Sequence, residues 1–185
     1  MVPVSFAIGY IGLNLNRAES DMTIVTAEKK ATEIAEKYNM GQMIPFDPIK
    51  LAELNGIEVK NAHFKEDDIS GIISKKAGKT TILVKADDPY NRKRFTIAHE
   101  LGHYFLHLEN VDNQGFVDTV NMYRNVNSPK NESEISANNF AANLLMNEVL
   151  VKALWTDVKS VQTMADIFKV SYDAMTYRLA NLGLL

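Results

Sequence analysis

Apolar positions recur every three to four residues between Thr26 and Tyr38, with Ala27, Ala31, Ile34, Ala35 and Tyr38 on one side. That period predicts an amphipathic helix capped by Thr26 and ended by Asn39 and Gly41. Pro45 and Pro48 open a second, short helix through Ile49, Leu51, Ala52 and Leu54, which Asn55 and Gly56 stop. Three strands are then expected, Ile57 to Phe64, Ile69 to Ser74 and Thr80 to Val84, with a hairpin turn at Lys76-Ala-Gly-Lys79. From Asn91 to Leu108 the pattern is that of a strongly apolar helix. Val111 to Lys130 has no period and reads as a long surface loop. Helices are expected again from Glu132 to Met146, Val161 to Phe168 and Tyr172 to Leu182. A small sheet followed by helices is an α+β layout.

The 185 residues suit one main domain, read as residues 22–155, with a C-terminal helical segment (156–185) packed on it and an N-terminal extension (1–21). An apolar share of 46 % is enough for a sizeable core. The net charge of -3 supplies no general attraction to nucleic acid or anionic lipid. The absence of cysteine excludes disulfides, thiol catalysis and thiolate metal sites, and it suits a reducing cytoplasm. Val2 to Leu15 is apolar, but no positive charge precedes it and Pro3, Gly9 and Gly12 interrupt it. It reads as a strand or loose extension, not as a signal peptide or membrane span.

The chemistry is concentrated in Arg94-Phe-Thr-Ile-Ala-His-Glu-Leu-Gly-His103. His99 and His103, four residues apart, project from one helix face about 6 Å apart along the axis, so two imidazoles can reach one ion. Glu100 lies about 100° round the helix, placed to act as base on a water activated by the metal rather than as a ligand. This HExxH pattern points to a zinc peptidase. The apolar flanks Phe95, Ile97, Ala98, Leu101, Phe105 and Leu106 bury the helix, and buried polar groups need a partner that a metal supplies. Gly102, costing about 1 kcal/mol against Ala, suggests that another element approaches closely there. His107 is too far along the helix to share an ion with His99, and it reads as a packing or supporting residue. His63 reads as a surface residue.

A third ligand is sought on the helix Glu134-Ile-Ser-Ala-Asn-Asn-Phe-Ala-Ala-Asn-Leu-Leu-Met146. Helical arithmetic puts Glu132, Ser136, Asn139 and Asn143 on a polar face, while Glu134 borders the apolar face of Ile135, Phe140 and Leu144. Glu134 is therefore expected to face inward and Glu132 is not. Asn138, one turn on, can support a ligand. A second donor to the oxyanion is sought among Tyr104, His107, Tyr123 and Arg124. Thr80 to Val84 is a candidate edge strand for pairing with an extended substrate.

These two blocks, with the weaker stretch Met164 to Leu184, resemble the ImmA/IrrE family of metallopeptidases. The resemblance runs from about Met22 to the C-terminus. It implies a zincin-like domain with a small sheet, an HExxH helix and a Glu-bearing helix. It also implies His99, His103 and Glu134 as ligands of Zn2+ and Glu100 as catalytic base. The implied activity is that of a selective intracellular endopeptidase that cuts helix-turn-helix repressors or antitoxin-like regulatory proteins in mobile-element, phage or stress circuits. One departure is Asn147, where the family usually has Pro after Leu-Leu-Met.

Two other readings share this sequence. One is a metal-stabilised regulator that holds a transcription factor without cutting it. The other makes the C-terminal helices a DNA-binding helix-turn-helix with Ser171 as a cap. Its exposed side chains would include Asp173, Thr176, Tyr177 and Arg178, too little positive charge for a phosphate footprint, so packing or partner docking is expected instead.

Overall fold

Four strands form one mixed sheet in a computed structural model that describes residues 25–66, 69–109, 117–118 and 132–185. The strands are β1 (Ile57–Ala62), β2 (Gly71–Lys76), β3 (Lys79–Lys85) and β4 (Val117–Asp118), in the order β1-β3-β2-β4. β1 runs parallel to β3, and β2 is antiparallel to both β3 and β4. The β2–β3 turn is the expected hairpin, with positive φ at Ala77 (49°) and Gly78 (76°). Along β3, Thr80, Ile82 and Val84 are buried in alternation, the period that a one-sided core demands.

The helices are α1 (25–37), α2 (Pro48–Leu54), α3 (Tyr90–His103), α4 (Glu132–Leu145), α5 (Glu148–Val158), α6 (Val161–Phe168) and α7 (Tyr172–Asn181). α3 is the central helix. It packs on β2, β3, α2 and, most extensively, α4. Its Ile97, Ala98 and Leu101 join Ile73, Ile82, Phe140 and Leu144 in one core. Full burial of a side chain the size of Leu101 or Phe140 contributes roughly 1.5–3 kcal/mol. The layout is α+β, as expected.

Several expectations change in detail. α1 is already helical at residue 25, so Thr26 lies within it and is not its cap. The helix expected from Asn91 to Leu108 is α-helical only to His103; Tyr104–Leu108 is a π-helical turn, closed by Glu109 N–H donating to Tyr104 O. Asn147 stands where a Pro was expected and caps α5, a helix not expected from the sequence, by accepting from Val149 and Leu150 N–H. Ser136 and Asn143, placed on a polar face of α4, are buried. Asn143 meets α1, where its Nδ2 donates to Glu28 O (2.7 Å) and Thr32 Oγ1 (3.0 Å), and Ser136 Oγ donates to Ser133 O (2.8 Å).

Arg178, expected to be exposed, is only 4 % accessible. It donates to Met146 O (3.0 Å), Glu28 (3.0 Å) and Asn143 Oδ1 (2.6 Å), so it ties α7 to α4 and α1. A buried guanidinium needs such partners, and here it takes all of them from inside the fold. The surface reading of α7 thereby loses a positive charge. Among the described residues, no helix is long and apolar enough to cross a membrane. The extension 1–21, the segment Val2 to Leu15 and most of the loop 111–130, with Tyr123 and Arg124, lie outside the described residues.

Candidate metal centre

The approach of α4 to α3 is governed by Gly102. A Cβ on it would stand 3.0 Å from Ala137 Cα and 3.1 Å from Ala137 O, so a larger residue would push the helices apart. This contact brings Glu134, about one turn before Ala137, opposite the two imidazoles. His99 Nε2 and His103 Nε2 lie 3.0 Å apart. Glu134 Oε2 is 3.3 Å from the first and Oε1 is 3.2 Å from the second.

These separations fit a metal. Ligands at the corners of a tetrahedron with bonds of about 2.0–2.1 Å stand roughly 3.3 Å from one another. The donor set, two imidazole nitrogens and a carboxylate, is one that zinc accepts. His99 Nδ1 is 3.0 Å from Asn138 Oδ1. An amide oxygen only accepts, so Nδ1 carries the proton and the Nε2 lone pair faces the shared point. The π-helical turn places His107 Nε2 3.4 Å from Ser136 Oγ, with its ring 6.1 Å from the His103 ring.

The charges of His99, His103 and Glu134 act strongly on one another. The His103 and His99 imidazoles hold Glu134 far below the usual carboxylate range, against the opposing effect of burial. Burial lowers the His99 pKa, but Glu134 and Glu100 together outweigh it and the group ends above its ordinary value. His103 is lowered, because burial there outweighs the attraction of Glu134. A metal competes with protons for these nitrogens and for Glu134.

Glu100 sits beside this cluster on another face of α3, 6 % accessible. Burial pushes its carboxyl up to about 7, with His99 pulling the other way. The backbone N–H of Ile73 in β2 donates to it. β2 can come this close because position 71 is glycine: a Cβ there would be 2.3 Å from Thr96 Cγ2 and 3.2 Å from Glu100 Oε1. His99, Glu100, His103 and Glu134 all line a cleft of about 1010 Å³, whose other walls come from β2, α4 and α7.

This arrangement is accompanied by a sequence match. Residues 52–180 fit the model of a peptidase family described as the IrrE N-terminal-like domain. The chain belongs to this family. It is also 23 % identical, over 134 residues, to the metallopeptidase ImmA of Bacillus subtilis (strain 168), an alignment that spans 68 % of this chain and 73 % of that protein.

In this IrrE-like chain the structure brings together four residues singled out from the sequence, His99, Glu100, His103 and Glu134, with Asn138 behind His99. His63 is exposed beside Asp87, as expected. Tyr104 packs edge-on against Phe105 and does not line the cleft, and neither does His107. β3 is an interior strand, paired on both sides, so the expectation of Thr80 to Val84 as an edge is overturned; β2 and not β3 borders the cleft. The sequence reading missed the cleft residues Gly71 and Thr96, and it missed Asp173, Tyr177 and Asn181 of α7 as wall residues. The last three had a signal, a spacing of four that puts them on one helix face, but nothing local says what that face meets.

Proposed function

We propose that the chain is a zinc-dependent endopeptidase in which His99, His103 and Glu134 hold the metal and Glu100 is the general base. The observation that carries this reading is the convergence of two imidazole nitrogens 3.0 Å apart and the Glu134 carboxylate, whose two oxygens lie 3.3 Å and 3.2 Å from them, with the Glu100 carboxyl beside them in an open cleft. When bound, the metal supplies a Lewis acid that polarises the peptide carbonyl and acidifies a water at neutral pH. Glu100 accepts the proton of the attacking water as the new C–O bond forms, and returns it to the amide nitrogen as the C–N bond breaks. The Ile73 N–H holds its position. Asn138 holds the His99 ring, and residues 70–72, beyond the β2–β4 pairs at Ser74 and Lys75, border the cleft where an extended substrate can lie.

The substrate is a regulatory protein of the helix-turn-helix repressor class in a mobile-element, phage or stress circuit, acted on in the cytoplasm. Support for this class comes from the family resemblance of the HExxH and Glu134 blocks, and the lack of cysteine suits the compartment. The test is to express a repressor encoded beside this chain with wild type or with Glu100→Gln and weigh the repressor by mass spectrometry. Cleavage is expected with wild type and a loss of several orders of magnitude with the variant, while the variant keeps its zinc. An intact repressor with both proteins, together with an equal response of a repressor-controlled reporter, would replace the peptidase by a regulator that binds without cutting.

A further inference from the structure

The cleft has a metal end and a far end, and the far end is closed by α7. Asn91 Nδ2 donates to Val170 O (2.9 Å), just before α7, and Arg178 of α7 donates to Met146 O (3.0 Å). Asn91 lies eight residues before His99 on α3, and Met146 eight after Asn138 at the end of α4, so these α7 anchors sit about 12 Å of helix rise from the ligand-bearing turns. β2 spans the same distance, with Ser70 near Arg92 (3.0 Å) and Ile73 at Glu100.

Asp173, Tyr177 and Asn181 recur every four residues, so they share one face of α7, and that face lines the cleft. Tyr177 is 72 % accessible, a large ring left open to solvent at the wall. The other charges outside the metal cluster are already committed. Arg92 lies 3.4 Å from Asp88 and donates to Ser70, and Arg178 is buried against Glu28. Among the described residues, Asp173 is the cleft carboxylate with no cationic partner.

We propose that the α7 face of Asp173, Tyr177 and Asn181 is the specificity wall of the cleft, taking an Arg or Lys side chain about three residues from the bond that is cut. This rests on the peptidase reading above. A long basic side chain lays its apolar stem and its cation along the Tyr177 ring and pairs its tip with Asp173, one helical turn away. The spacing of about three residues follows from the helix rise of about 12 Å between the α7 anchors and the ligand-bearing turns, and a rise of about 3.3 Å per extended residue. Asn181 continues the same face toward α4 and offers an amide to the peptide backbone.

The test uses zinc-loaded Glu100→Gln protein and two kinds of probe. Acetohydroxamate reads the metal alone. Peptide hydroxamates, with the hydroxamate at either end and Arg, Leu or Glu at each of four positions, read the wall. The expected result is that one position prefers Arg over Glu by about tenfold or more, that Asp173→Lys reverses that order, and that Tyr177→Ala weakens the Arg probe about fivefold. Acetohydroxamate affinity is expected to stay the same in both variants. Equal binding of the Arg, Leu and Glu probes, or an Arg preference unmoved by Asp173→Lys, overturns the proposal while leaving the metal centre standing. Failure of acetohydroxamate to bind zinc-loaded protein overturns the peptidase reading, and this proposal with it.

Discussion

His99 Nδ1 lies 3.0 Å from Asn138 Oδ1, a contact between the central helix and the helix that carries Glu134. It selects the tautomer that aims Nε2 at the point shared with His103 and Glu134, and it does so from the same helix that brings the carboxylate. Asn138→Ala is therefore expected to leave the fold intact and weaken zinc about 10- to 100-fold. Competition against a calibrated chelator measures this, and unchanged affinity would show that the contact does not orient the ligand.

Glu134 and Glu132 differ in what they reach, although they are only two positions apart. Glu134 touches both imidazoles, and Glu132 is exposed. Glu134→Ala should cost most of the zinc affinity, and Glu132→Ala should change it less than twofold, roughly the scale of a distant surface charge. Similar losses from both would mean that α4 presents a different face to the metal.

Glu100 makes the metal-free protein sensitive to pH. Its folded pKa of about 7 lies above the ordinary carboxyl value of 4.5, so the folded state holds the proton more tightly. The stability from this proton is present in full below about pH 4.5 and is lost as pH rises through about 7. Glu100→Gln cannot titrate, so its advantage over wild type should grow between about pH 5 and pH 8, to roughly 3 kcal/mol at most. Urea unfolding in the presence of a chelator gives this difference. A gap that stays constant across the range would show that Glu100 ionises as freely in the fold as in the unfolded chain.

Gly71 and Thr96 form a matched pair. A Cβ at residue 71 would fall 2.3 Å from Thr96 Cγ2, so Gly71→Ala should destabilise by about 1–3 kcal/mol despite its lower unfolded-chain entropy. Thr96→Ser removes the obstructing methyl and should restore part of that loss in the double variant. Thermal melts of the four proteins in this cycle decide it, and strictly additive effects would argue against the contact.

Much of the candidate centre was legible in the sequence because it depends on helical periodicity. His99, Glu100 and His103 lie within five residues of one another, and a spacing of four fixes their common face whatever surrounds the helix. Glu134 was reachable by the same arithmetic on a second helix. Gly102 signalled a close neighbour, since a helix accepts the cost of a mid-helix glycine when another backbone needs the space. The α+β layout followed from the order of strand and helix patterns.

Pairing and packing lay beyond that reach. Strand order is a matter of which edges meet, so the interior position of β3 and the exposure of β2 to the cleft came only with the sheet. The burial of Ser136, Asn143 and Arg178 reversed a polar-face reading, because their partners lie up to 150 residues away and satisfy inside the fold what local patterning assigns to water. The π-helical turn after His103 likewise has no signature in apolar spacing, yet it decides where His107 points. The wall of Asp173, Tyr177 and Asn181 shows the division most plainly. Its stripe is a property of the sequence, set by 3.6 residues per turn. Its place at the end of the cleft is set by the hydrogen bonds of Asn91 and Arg178, which anchor α7 across α3 and α4 through contacts no local pattern records.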